Sequence, residues 1–227
     1  MSTRLPRVIS SADFPIAELC SARLNGELFT VGECWYPIDE IDNESLRAAS
    51  LAPLMPARAI LERMTAAWVY GLTAEPRRHH LCVSVTARVH VVPSPRIQLR
   101  EVALGASDTI LFGDVRVTTP LRTVVDLARS TPIPAHEHDR RELTTLLARL
   151  LSYAGHRNAD SARARCSRPC VPNRTLALAR LDDVDAELRR APDPFTPEPF
   201  ASDPFASDPF APEPITQARS DYPSLTR

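Results

Sequence analysis

Val115-Arg116-Val117-Thr118-Thr119-Pro120-Leu121-Arg122-Thr123-Val124-Val125-Asp126-Leu127-Ala128-Arg129 reads as a strand that runs directly into a helix. Val115 and Val117 flank Arg116 with the period-2 alternation of a half-buried strand. Thr119 suits an N-cap, because its hydroxyl can accept one of the orphan amide hydrogen bonds of a first helical turn. Pro120 follows at the first helical position, where the missing N–H costs nothing and φ is already set. Leu121, Val124, Val125 and Ala128 fall at i, i+3, i+4 and i+7 and predict one apolar face. Arg122, Asp126 and Arg129 fall on the other side, and the spacing predicts a solvated charged face over a core helix.

This stretch, together with Thr65-Ala66-Ala67-Trp68-Val69-Tyr70-Gly71-Leu72, resembles the body of actinobacterial AbiEi-family proteins, the antitoxins of type IV toxin–antitoxin systems. The residues that carry the resemblance are Trp68, Gly71, Thr118, Thr119, Pro120, Leu121, Arg122 and Asp126. The likeness runs over roughly the first two-thirds of the chain. It implies an N-terminal winged-helix domain that binds promoter DNA and represses its own operon. It also implies a body that counteracts a nucleotidyltransferase toxin without forming a tight complex with it.

The 227 residues allow one large or two small domains, and 44% apolar residues suffice for a core. A formal net charge of -1 does not announce a nucleic-acid binder. Distribution tells more. Met1 to Glu44 carries 3 Arg against 8 acids, a balance of −5, while Arg157 to Arg180 carries 6 Arg against 1 Asp, a balance of +5. Every basic side chain is Arg and there is no lysine. That excludes a Walker A loop and Schiff-base chemistry, both of which need a Lys amine. The 5 cysteines are odd in number and irregularly spaced, which argues against a disulfide framework. Met1 to Phe14 lacks the apolar core of a signal peptide, and no apolar run is long enough to span a bilayer. The expected location is cytoplasmic.

From Asp13 to Ile38 the pattern predicts a helix capped by Asp13 and stopped at Gly26, then two strands about Gly32-Glu33. A helix followed by a hairpin matches the back half of a winged helix, with the hairpin as wing. The acidic balance opposes phosphate contact, so a remnant used for packing is preferred to a DNA-reading head. Asn43 to Leu51 predicts a short helix, and Pro56 to Tyr70 a longer one with Ile60, Met64, Ala67 and Trp68 on one face. Trp68 is expected to be a core anchor. Strands are predicted over Leu81–Val85, Arg88–Val92, Gln98–Leu104, Thr109–Phe112 and Asp114–Val117. Glu142 to Tyr153 predicts a Leu-lined helix. His156 to Asn173 shows no pattern, and Leu176 to Arg190 predicts a last helix. Beyond Pro192, Asp-Pro-Phe and Glu-Pro-Phe units recur every five residues, a composition expected to be disordered.

The fold class is thus α+β: a small mixed or antiparallel sheet with packed helices. The divisions are a degenerate winged-helix remnant over 1–42, an AbiEi-like body over 43–155, an Arg-rich linker and last helix over 156–191, and a disordered tail over 192–227. His79, His80 and Cys82, or His136 and His138, or Cys166 and Cys170, could offer metal ligands. None makes the two close pairs of a structural zinc site, so no metal and no cofactor is expected. Asp182, Asp183 and Asp185 lack the upstream Gly-Ser turn of a nucleotidyltransferase, and no Gly-x-Ser-x-Gly elbow occurs, so no catalytic residue is assigned. For DNA the candidates are Arg4, Arg7, Arg23, Arg157, Arg163, Arg165 and Arg168. The expected partners are operator DNA and, functionally, a nucleotidyltransferase toxin, with no membrane. The competing readings are a stand-alone protein-interaction domain that has lost DNA binding, and a residual nuclease-like enzyme.

Overall fold

In the computed structural model β7, Val115–Thr118, runs straight into α4, Pro120–Ala128. Thr119 is the N-cap, its hydroxyl accepting from the Arg122 amide, and Pro120 opens the helix. The residues described are 8–86, 94–131, 136–168 and 172–190, and they belong to one unit, Met1–Ala191. The strand predicted over Arg88–Val92 and the repeats beyond Pro192 lie outside them.

At the front, α1 spans Ile16–Leu24 and leads into an antiparallel hairpin of β1, Leu28–Val31, and β2, Cys34–Pro37. Asp13 does not cap α1; Pro15 occupies that place, and Asp13 instead accepts from the amide and hydroxyl of Ser10 in the preceding turn. The hairpin rests on α2, Glu44–Ser50, which Asn43 caps through the Leu46 amide. Gly32, at φ +55, lies against Ser50 and Trp68, so a side chain at the hairpin tip would run into the body.

The helix predicted from Pro56 is broken. Arg58 takes φ 62, Ile60–Leu61 forms a two-residue strand β3, and only Arg63–Val69 is helical, as α3. Pairing overrides helix propensity here. Ile60 and Leu61 bond to Cys82 and Leu81 of β4, His79–Ser84, and Leu61 also pairs in parallel with Val117. A central strand with both faces covered shows a plain apolar run and no period. Glycine ends α3 as expected: Gly71 has φ +73, and the Leu72 amide returns to the Ala67 carbonyl.

The five-stranded sheet has order β5-β4-β3-β7-β6, with β5 at Ile97–Val102 and β6 at Thr109–Phe112. It is mixed: β4–β5 and β3–β7 are parallel, β3–β4 and β6–β7 antiparallel. Three further helices complete the fold: α5 at Glu137–Tyr153, α6 at Asp160–Cys166 and α7 at Arg174–Arg190. The helix α6 falls in the segment read as patternless. Its apolar stripe is made of small residues, Ala159, Ala162 and Cys166, all fully buried and masked in the sequence by intervening arginines.

Helix α4 packs against α3, α5, α6 and α7. Val124, Val125, Leu127 and Ala128 are buried in the main core with Leu147, Leu150, Leu181 and Val184, whereas Leu121 is only half-buried. The prediction of a solvated charged face is overturned: Asp126 is 2% exposed. Neighbours on four sides leave Thr123–Ala128 closed to water, so the polar residues among them need internal partners.

Candidate functional site

The partners of Asp126 form the most elaborate polar site in the described residues. Arg100 of β5 grips Glu62, at the end of β3, through Nε and Nη2 at 2.6 and 2.5 Å, and its Nη2 lies 3.2 Å from Asp126. One turn earlier on α4, Arg122 donates from Nε to Asp126 at 2.7 Å and from Nη1 to Asp108 at 2.6 Å. Asp108 also receives Arg165 of α6 at 2.7 Å and the Gly105 amide at 2.9 Å. The three carboxylates and three guanidinium groups alternate, so the formal charge of the set cancels. Such a network costs desolvation and repays it only through good geometry, here a bidentate fork and bridging forks. Burial pushes the Asp108 carboxyl up, but the Gly105 amide with Arg122 and Arg165 outweighs that and holds it below the ordinary value. Burial works against Arg122 too, yet Asp126 and Asp108 leave it firmly charged. Beside the network the Cys82 thiol is buried and its pKa is pushed up, first by burial and then by Glu62, so it is an inert packing group.

The residues of the two quoted stretches meet. The Tyr70 hydroxyl donates to the Thr118 carbonyl at 2.6 Å, and the Thr118 and Thr123 hydroxyls are 2.8 Å apart. Trp68 is 7% exposed and anchors the core. Two bridged carboxylates between the central strand and a helix could suggest acid–base chemistry. Glu62 and Asp126 instead spend their oxygens on guanidinium groups, an arrangement that stiffens the junction of sheet and helices.

The arginines singled out for DNA separate into two groups. Arg23, Arg157 and Arg168 are exposed. Arg163 is not free: it binds Asp160, Asp182 and Asp185, the last two at 2.8 and 2.7 Å. Arg165 belongs to the network above. Arg4 and Arg7 lie outside the described residues. The segment read as an Arg-rich linker is thus an ordered part of the helical layer over residues 160–166. Within it Asp185 also accepts from the Ala159 amide at 2.7 Å and fastens α6 to α7. Arg180 of α7, which the sequence counts in the Arg-rich run of Arg157 to Arg180, instead donates to the Leu127, Ala128 and Ser130 carbonyls and closes the C-terminus of α4.

Of the metal-ligand candidates, His79 and His80 point to opposite faces of β4, as neighbours on a strand must. His79 instead approaches Glu75 and Glu33, the three ligand atoms lying within 4.8 Å of one another. Glu33 is at the same time held by both terminal nitrogens of Arg96. Cys82 packs with Ile60 and Val102. Cys170 lies outside the described residues. No helix among the described residues is long and apolar enough to cross a membrane.

These features define an α+β protein whose best-built polar site is a buried ion-pair brace. No protein-family model matches the chain, and no curated protein matches it. Among solved structures it is similar to the RV2827C protein from Mycobacterium tuberculosis, with 18% identity, a TM-score of 0.35, and coverage of 81% of this chain and 75% of that one. A likeness that loose carries no argument about function.

Proposed function

We propose that this chain is a non-enzymatic, cytoplasmic, antitoxin-like protein of a type IV toxin–antitoxin system, which counteracts a nucleotidyltransferase toxin. The reading rests on the resemblance of Thr65–Leu72 and Val117–Arg129 to AbiEi-family proteins. One observation carries it furthest: these two stretches, far apart in sequence, are joined by the Tyr70–Thr118 hydrogen bond into one structural unit. The commitment of Glu62, Asp108 and Asp126 to arginine supports a scaffold over a residual nuclease. The test is growth rescue. Co-expression with a nucleotidyltransferase toxin encoded beside its gene is expected to restore growth of a host that the toxin arrests, and failure to rescue with both proteins soluble would sink the reading.

Repression of its own operon is the weaker half of the proposal. The hairpin tip, which would be the wing, is held by the Glu33–Arg96 pair and by packing of Gly32 on Ser50 and Trp68. A tip seated on the body is not presented to a groove. That favours the second reading, a protein-interaction domain that has lost DNA binding, and so do the exposed apolar side chains of Ile16, Leu24, Ile38 and Ile41. A gel-shift titration with the fragment upstream of the gene separates the two. A working repressor gives a sequence-specific shift that weakens steeply with salt and is lost in Arg23→Ala. The interaction domain gives no shift even at low salt.

A further inference from the structure

The hairpin tip, the start of β4 and the segment after α3 meet in a polar niche apart from the brace. His79, the first residue of β4, is 2% exposed, and its ring lies beside Trp68 with centroids 6.1 Å apart. The His79 amide donates to the Arg96 carbonyl, so the backbone fixes where the imidazole stands. The ring itself is unsatisfied. Its Nδ1 is buried with no partner among the described residues, and its Nε2 stands 3.5 Å from Glu75 Oε1. An N–H to carboxylate hydrogen bond closes to about 2.7–3.2 Å, so this approach is too wide to be one. A buried imidazole without a hydrogen bond costs the fold unless something else supplies the missing partner. Glu33, at the hairpin tip, brings a second carboxylate, and the three atoms that could ligate lie within 4.8 Å of one another.

We propose that His79 Nε2, Glu75 and Glu33 bind a zinc ion, with water in the fourth position. Zinc bonds of about 2.1 Å at tetrahedral angles set ligand atoms about 3.4 Å apart. The 3.5 Å between His79 Nε2 and Glu75 Oε1 matches that edge. Glu33 reaches the same point by a turn about its own side chain. An imidazole with two carboxylates suits zinc, whereas magnesium prefers oxygen ligands in a six-coordinate shell. Arg96 now holds Glu33 through both terminal nitrogens, but the Arg96 side chain is 52% exposed. So exposed a pair is worth little, and a carboxylate offers about four lone-pair sites, so a divalent ion can displace the guanidinium or share the group with it. By sequence His79 is grouped with His80 and Cys82; the pleat of β4 turns His80 away, and the carboxylates come from the hairpin and from the segment after α3. The bound ion ties the Gly32–Glu33 turn to the start of β4. This site stands apart from the antitoxin reading and survives its failure.

The test is titration of the full chain with zinc chloride by calorimetry, with Tm followed in parallel. One zinc per chain is expected, with a Tm that rises with zinc concentration and is unmoved by millimolar magnesium. Cobalt chloride is expected to occupy the same site and quench tryptophan emission, because Trp68 lies against the His79 ring. Glu75 is exposed, so Glu75→Gln is expected to melt like the parent chain without metal and to bind zinc at least tenfold more weakly. Arg96→Ala is the sharper variant. It frees Glu33 and is expected to bind zinc at least threefold more tightly, whereas a site in which the Arg96 pair is only structural would bind no better without it. His138→Ala removes an exposed histidine beside Glu142 and is expected to leave the affinity unchanged. Absence of a zinc-dependent rise in Tm, parent affinity in Glu75→Gln, no gain in Arg96→Ala, or loss of the zinc in His138→Ala would each overturn the proposal.

Discussion

The front of the molecule, residues 8–42, and its back, residues 156–190, are opposites in composition and in the way they spend charge. The front is acidic and leaves its chemistry outside: Arg23 is exposed, and so are Ile16 and Leu24 on α1. The back is basic by sequence, yet Arg163, Arg165 and Arg180 are taken up by Asp182, Asp185, Asp108 and the end of α4. The balance of a segment therefore does not give the field at its surface. An arginine is removed from that field once a carboxylate or a helix C-terminus takes it up, and its rigid fork makes it well suited to that work.

The sharpest way to test this contrast is to unpair the interior. Asp126→Ala leaves Arg100 and Arg122 without their shared acceptor and is expected to cost about 3–5 kcal/mol, read as a fall in Tm by thermal denaturation. A loss below about 1 kcal/mol would show that the brace is ornamental. Next, Arg180→Ala uncovers the Leu127, Ala128 and Ser130 carbonyls and is expected to cost about 1–3 kcal/mol in denaturant titration.

Acid is the third probe. His80 has a folded pKa of about 4 against its ordinary 6.5, so its neutral form contributes stability that is complete above pH 6.5 and is lost as pH falls through 4. After allowance for partial solvent screening that is roughly 1–2 kcal/mol. Below it the depressed Asp108 takes over, its contribution present above the ordinary 3.8 and lost as pH falls further. A Tm profile that falls steadily over this range in the parent chain and flattens between pH 6.5 and 4 in His80→Gln is expected; a Tm that rises on acidification would break the scheme.

At the front, Gly32→Ala sets a methyl group at φ +55 against Ser50 and is expected to cost about 1 kcal/mol or more. Last and smallest, Arg168→Ala on the exposed side of the back segment is expected to stay within about 0.5 kcal/mol of the parent chain. A larger effect would place that arginine with the interior group.

Legibility in the sequence followed the same division. Elements with a clean period were read correctly: β7 into α4 from Val115 to Ala128, the hairpin about Gly32, the Asn43-capped helix and the Leu-rich α5. Elements that owe their form to distant partners were not. Ile60 and Leu61 form a strand because β4 and β7 lie on either side, which nothing within Pro56–Tyr70 announces. Asp126 read as surface because period reports one apolar face and is silent on how many neighbours a helix has. Of the site, Arg122 and Asp126 were in view at i, i+4, but Glu62, Arg100 and Asp108 come from other elements. Arg163 and Arg165 looked like linker charge because the stripe beneath them is Ala and Cys. A run of small apolar residues at i, i+3 and i+7 was the signal available there.

The two-residue strand β3 also fixes an order of events. Its first partner strand begins 19 residues after Ile60, whereas the second, β7, begins only at Val115. During synthesis the middle of the sheet therefore stays open along one edge until more than half of the chain has emerged. Closing that gap is a long-range step, slower than forming any of the helices. A nascent chain arrested before Val115 presents an unpaired central edge, the kind of surface that chaperones hold and that other chains add to.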